Sequence, residues 1–296
     1  MELFDAVRNN KIEKVKRLLQ RKNIGLNSTE VYECAYEAAE TTTTTTIERF
    51  YTPLHVACRE GHTQIVALLL QDQRVDVNKQ TNERVTPFFI ACESGHLDIV
   101  KYMMQDERVD VNKQGYNNKG SPFHISCHLG HLDIVKHMMQ DERVDVNKQR
   151  EGGWSPLHAS IKHRYVFKLL AEDARVNINV TSVIRKTPLH WACYKLGNDY
   201  ALRLVKFLIS SGRHLDVKLR NREGKTPKDI AKSRGYESVV DLLESYENDK
   251  EKTIERLRKE MGLSNLSTNQ RLIYSASDGQ IQDLKQLLYH RKRLQH

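Results

Sequence analysis

Apolar residues fall along this chain in short clusters with helical spacing, set apart by polar stretches of similar composition. Ile99, Val100, Met103 and Met104 stand at i, i+1, i+4 and i+5, which places them on one face of a helix. Just upstream, TPFFIAC from Thr86 predicts a second helix. Thr or Ser caps a helix start by accepting a hydrogen bond from a free backbone N–H, and proline suits the first helical position. Gly95 marks the tight turn between the two. The unit therefore reads as helix, tight turn, helix, long loop. One such pair cannot bury its apolar face alone, so a neighbouring pair must cover it.

The unit is written six times. TPLHVACREGHTQIVALLLQ starts at Thr52, TPFFIACESGHLDIVKYMMQ at Thr86 and SPFHISCHLGHLDIVKHMMQ at Ser121, with turn glycines at Gly61, Gly95 and Gly130. Divergent copies start at Ser155, Thr187 and Thr226, so the intervals are 34, 35, 34, 32 and 39 residues. A fixed period between about 20 and about 50 residues predicts a solenoid or similar array. The long loop repeats almost literally: QDERVDVNKQ occupies 105–114 and again 140–149, and QDQRVDVNKQ begins at Gln71. An active site needs its residues once, so this repetition predicts a structural role, leading out of one layer and keeping the register of the next.

TPLHxAC, then GH, then the IV and LLL helix, then DVN, resembles the ankyrin repeat. The resemblance covers residues 52–244 in six copies and implies an all-α solenoid of stacked helix-turn-helix units with projecting loops. LFDAVRNNKIEKVKRLL, from Leu3, looks like an N-terminal capping half-repeat over 1–27 that lacks the TP pair. These copies carry an extra residue after the second helix, where the family's usual glycine is missing.

Several regions depart from the pattern. In the insert at 28–51, a helix is expected over Asn27 to Glu40, followed by a low-complexity loop containing Thr41 to Thr46. Extra residues around LGNDYA predict a projecting turn, and the copy from Ser155 has Arg164 where the turn glycine belongs. Residues 245–269 are highly charged with widely spaced apolar positions and read as a solvated helix and linker. LIYSASDGQIQDLKQLLYHRKRLQH then looks like another half-repeat, 270–296, with a basic tail.

Composition narrows the class. Hydrophobic residues make up 39% of 296 but never run on for about 18 positions, so no membrane-spanning helix is expected. Glu2 and Asp5 stand where a secretory leader would carry basic residues, which predicts a cytoplasmic protein, or a nuclear one. Cys58, Cys92, Cys127 and Cys193 each lie six residues after the Thr or Ser of the cap. Stacked layers hold such positions roughly 8 to 10 Å apart, beyond disulfide reach, so free thiols filling the core are expected. Cys34 stands outside this pattern.

Candidate chemistry is thin. GKT at Gly224 to Thr226 resembles the end of a phosphate-binding loop, but Leu219 stands where its first glycine is required. No HExxH or CxxC spacing is present. His124 and His128 at i, i+4 offer a weak metal pair. Yet His55, His124, His158 and His190 all occupy the fourth place of the TPLH-like motif, and His62, His96 and His131 follow the turn glycine. The family resemblance implies hydrogen bonding within and between repeats for both sets. No catalytic residue, metal site or cofactor is therefore expected, and the chain reads as a non-enzyme.

What remains is surface, and the expected function is a protein-binding scaffold or adaptor, a monomer with one partner on its concave face. The resemblance implies that partners touch the loop tips before the TP pair and the first-helix positions before the turn glycine. Carried over by position, the loop-tip candidates are Arg49, Tyr51, Asn82, Glu83, Asn117, Asn118, Glu151, Trp154, Ile184 and Lys186. The helix candidates are Arg59, Glu60, Glu93, Ser94, His128, Leu129, Lys162, His163, Tyr194 and Lys195. Trp154 stands out because tryptophan is enriched at hot spots and its glycine-flanked loop does not obviously bury it, the equal alternative being that it folds onto the neighbouring finger; Trp191 and the methionines Met103, Met104, Met138 and Met139 read as core. A net charge of +9 favours an acidic partner. Nucleic-acid or other polyanion binding through a basic surface is the alternative, which the scatter of Arg and Lys over every repeat, with HRKR at 290–293 as the one dense run, does little to favour; a recognition or regulatory role within a larger protein is another.

Overall fold

The computed structural model describes residues 2–37, 44–115, 120–195 and 197–262. The chain falls into two compact units, residues 1–151 and 152–296.

The first unit opens with the helix pair α1 (Glu2–Arg8) and α2 (Ile12–Leu19). Strands β1 (Glu30–Glu37) and β2 (Thr44–Tyr51) follow as an antiparallel pair, with Glu30 opposite Tyr51 and Glu37 opposite Thr44. This replaces the helix expected over Asn27 to Glu40. Ala and Glu in that stretch suggest a helix, but Val31, Tyr32 and Tyr36 favour a pleated strand. The facing segment supplies the β-branched Thr44, Thr45, Thr46 and Ile47 to pair with it. Three helix pairs complete the unit: α3 (Pro53–Glu60) with α4 (Thr63–Gln71), α5 (Pro87–Ser94) with α6 (Leu97–Met104), and α7 (Pro122–Leu129) with α8 (Leu132–Met138). First helices pack on first helices, α1 to α3 to α5 to α7, and second helices do the same from α2 to α8.

The second unit repeats this plan with α9 (Pro156–Ala159) and α10 (Arg164–Glu172), α11 (Pro188–Lys195) and α12 (Asn198–Ser210), then α13 (Pro227–Ser233) and α14 (Glu237–Asn248). With no glycine available, α9 ends in a 3-10 turn at Ser160–Lys162. The turn expected to project around LGNDYA is instead partly helical. Asn198, Asp199 and Tyr200 form the first turn of α12, which grows to 13 residues. The last helix, α15 (Lys250–Glu260), packs against α12 and α14. It was expected to be solvated, yet Leu257 is buried and Arg258 Nε donates to Ser210 O at 3.0 Å, satisfying the carbonyl end of α12. The half-repeat expected at 270–296 lies outside the described residues.

Each repeat is held by polar devices that recur with the period. Thr52 accepts from the backbone N–H of His55, while His55 Nδ1 lies 3.1 Å from the Thr52 backbone nitrogen and so closes a capping box. The other ring nitrogen, Nε2, faces Val85 O of the next repeat at 3.3 Å. His158 and His190 do the same with Lys186 O and Lys225 O, at 3.0 and 3.2 Å. Burial holds both His55 and His158 neutral, with pKa values pushed down to about 4. The histidines after the turn glycines reach backwards: His96 Nε2 lies 2.9 Å from Arg59 O, and His131 Nε2 3.2 Å from Glu93 O. Gly95 is needed twice over, at φ 79° and with the His131 ring 2.9 Å from where a Cβ would stand.

The literal loop repeat has a matching account. In each copy Asp and Arg two residues apart form a bidentate pair, and the Arg reaches the last carbonyls of the preceding repeat. Arg108 Nη2 donates to Asp106 at 2.6 Å and to Leu70 O at 2.7 Å, and Arg143 Nη2 donates to Met104 O at 2.6 Å. This caps the helix where glycine is missing. The hydrogen bonds from Arg108 hold the Asp106 carboxyl below its usual range. The Asn of DVN links loop to loop: Asn78 donates to Arg108 O and accepts from Asp110 N, and Asn112 repeats this with Arg143 O and Asp145 N.

Between these devices lies a continuous apolar layer in each unit. Met103 and Met138 are fully buried and Met104 and Met139 nearly so. Cys58, Cys92, Cys127 and Cys193 are free, buried thiols. Burial pushes Cys92 and Cys193 up to about 12 and raises Cys58 and Cys127 as well, so none is a ready nucleophile.

Candidate partner-binding site

The slot immediately before the cap is buried in several copies, although Lys225, before the last cap, stays exposed. Tyr51 is fully buried and stacks on His55 at 5.5 Å, Val85 is 1% exposed, and Lys186 is 8% exposed. Tyr51 and Lys186 are therefore not the exposed loop-tip contacts expected from position. A side chain preceding the cap folds over the first helical turn, as a hydrophobic staple does. Trp154 occupies the same slot and is half-buried.

In the second unit that geometry assembles a cluster. The Trp154 ring lies 4.6 Å from Trp191 and 5.6 Å from His158, and Trp191 meets Tyr194 edge to face at 5.7 Å. Lys186 is drawn in because its ammonium finds aromatic faces: Nζ lies 4.4 Å from the Tyr194 centroid and 5.2 Å from that of Trp191. Each such contact contributes about 0.5 to 2 kcal/mol. Arg234, at the end of the next first helix, lies 4.7 Å from the Tyr194 centroid. Three consecutive repeats thus supply one row of aromatic rings and cations. The fingers that carry it are stitched by main-chain bonds, Val183 N to Gly152 O at 3.0 Å and Arg222 N to Ile184 O at 3.2 Å.

Among the other expected contacts, Glu60, Asn82, Ser94, His128, Leu129, Glu151 and Lys162 are exposed. Arg59, Glu83, Glu93, His163 and Ile184 are half-buried. Arg59 also donates to the Tyr51 hydroxyl at 3.3 Å, and Asn82 Oδ1 accepts from Phe50 N at 3.4 Å. Tyr194 is 38% exposed. Asn117 and Asn118 lie outside the described residues, as do the side chains of Arg49 and Lys195. The cluster draws Trp154, Lys186 and Tyr194 together. It adds Trp191, which is only 9% exposed, and Arg234, which lies outside the positions expected from the sequence. Arg234 stands in the slot of Glu60, one residue before the turn glycine, so carrying that register into the last copy identifies it. The same register at the finger tips gives Val183, 56% exposed, and Arg222.

The described residues hold no group of three His, Cys, Asp or Glu placed to bind a metal ion, and no helix among them is long and apolar enough to cross a membrane.

Comparison with known proteins agrees with this architecture. The family profile described as "Ankyrin repeats (3 copies)" matches residues 3–115 and 107–182, and that described as "Ankyrin repeat" matches 185–222. Among solved structures, the ankyrin repeat domain of Bcl-3, a member of the IkappaB protein family, is 20% identical with a TM-score of 0.65, covering 82% of this chain and 98% of that one. The human ASB11 ankyrin repeat domain is 21% identical with a TM-score of 0.57, covering 78% and 91%. No curated protein sequence matches the chain. At these identities the structural likeness speaks for the fold alone, and together with the profile matches over most of its length it makes this chain a member of the ankyrin-repeat family.

Proposed function

We propose that the chain is a scaffold or adaptor that binds another protein through the aromatic and cationic row of its second unit, with no catalysis of its own. The observation that carries this reading is the alignment of Trp154, Trp191 and Tyr194 with Lys186 and Arg234 across three repeats. Ankyrin-repeat domains are generally protein-interaction modules, and Trp, Tyr and Arg dominate hot spots because they combine large contact area with directed polar groups. A non-catalytic role is supported by thiols and imidazoles that burial holds in their neutral forms. Free buried cysteines also suit a reducing compartment, the cytoplasm or nucleus.

The test is capture from cell extract by the intact chain and by a Trp154→Ala, Tyr194→Ala double variant whose helical circular-dichroism signal is unchanged. The expected result is a protein retained by the first and lost, or at least tenfold depleted, with the second. Equal retention by both would place the contact elsewhere.

A further inference from the structure

We propose that the row takes an acidic, extended peptide segment carrying an apolar residue. This names the partner chemistry of the protein-binding reading above and rests on it. The net charge of +9 is not evenly spread: residues 1–151 hold 20 Lys and Arg against 22 Asp and Glu, whereas residues 152–236 hold 17 against 6. Nearly all the basic excess therefore belongs to the three repeats that build the row.

The few carboxylates there are largely committed to the fold. Asp173 is held by Arg175 at 2.8 Å, Asp216 accepts from Lys218 N, and Asp229 completes the cap at Thr226. Glu223 is shared between Lys186 at 3.8 Å and Lys225 at 3.7 Å. Arg185, Arg222 and Arg234 form no ion pair among the described residues. Arg185 and Arg222 project from adjacent fingers joined by the bond from Arg222 N to Ile184 O, and Arg234 sits on the Tyr194 ring below. Guanidinium groups suit carboxylates, which they engage with two parallel hydrogen bonds. Val183, 56% exposed on the finger before the same cap, and Tyr194, 38% exposed on the helix after it, offer exposed apolar surface in the same repeat.

A nucleic acid fits less well. Stacking needs a free ring face, but Trp154 is against Trp191, and Tyr194 has Lys186 at 4.4 Å and Arg234 at 4.7 Å from its centroid. A base would have to displace those cations first.

The experiment is fluorescence anisotropy on the full chain with three labelled probes of similar length: a Glu- and Asp-rich peptide with one Leu, a Lys-rich peptide, and single-stranded oligothymidylate. Each is titrated with the intact chain, with an Arg185→Glu, Arg222→Glu, Arg234→Glu variant, and with a control Lys79→Glu, Lys101→Glu, Lys113→Glu variant of exposed lysines in the first unit. The acidic peptide is expected to bind, to weaken at least about tenfold in the arginine variant, and to hold within about twofold in the control. Raising ionic strength from about 0.05 to about 0.5 M should weaken it further. Equal loss in both variants would mean unspecific charge attraction, and overturns the site. Oligothymidylate bound in place of the peptide makes the row a nucleic-acid site. If no probe binds while extract capture still depends on Trp154 and Tyr194, the acidic chemistry fails and the protein-binding reading survives. If both fail, both are wrong.

Discussion

In three copies, at His55, His158 and His190, the histidine in the fourth place of the motif does two things with one ring, and for the most buried of them its protonation state follows. His55 and His158 each close a cap with Nδ1 and reach a carbonyl of the next repeat with Nε2, in sites that hold their pKa near 4 against an ordinary 6.5. Between those values the unfolded chain binds a proton that the folded chain refuses. Stability from these groups is therefore complete above 6.5 and is lost as pH falls toward 4. Each should contribute about 2 kcal/mol to the loss between about pH 7 and about pH 5. Thermal or urea melts across that range should show a steep slope in the intact chain. The slope should be shallower in a His55→Gln, His158→Gln variant, which starts lower but carries no titrating ring. Parallel slopes would mean that the rings titrate alike in both states.

At the level of the element, the Asp–Arg pair and the Asn of the long loop let a second helix end without glycine and still hand its register to the next layer. Asn112 is the informative position, since its amide donates to Arg143 O at 2.6 Å and its carbonyl accepts from Asp145 N at 2.9 Å. Both bonds are near solvent, so Asn112→Ala should cost about 1 to 2 kcal/mol in urea unfolding, and Asn112→Asp, which keeps only the acceptor, about half of that. A melt for Asn112→Ala that overlays the parent would show the ladder to be passive. Loop repetition made this register role legible in the sequence, because identical residues at a fixed period must meet equivalent neighbours. The polarity of the slot before the cap was not legible in the same way. Tyr51 and Lys186 look like loop-tip residues by position, and only the fold of the finger turns them inward. The hairpin at β1 and β2 was missed for a related reason: neither segment decides its state alone, and pairing across the Thr-rich strand settles it.

For the molecule as a whole, a summed charge of +9 concealed what mattered, a near-neutral first unit and a strongly basic stretch at 152–236. That partition stands in the sequence but is visible only once the boundary after Glu151 is known. For residues 245–269, spaced apolar residues in a charged segment suggest a solvated helix, and α15 is in fact partly packed. In a stack where each repeat touches only its neighbours, however, a helix that follows a layer can cover that layer's open face. In α15 the anchor is Leu257, 1% exposed, with Thr253 beside it and Arg258 on the carbonyl end of α12. Leu257→Ala should therefore cost about 2 to 4 kcal/mol locally. Since α15 packs on α12 and α14 whereas α10 packs on α12, amide exchange should accelerate most in α15, α12 and α14 and less in α10. A uniform rise through all of these helices would mean that the second unit opens as one body, and α15 would then be an integral part of its core in place of a covering helix that opens by itself.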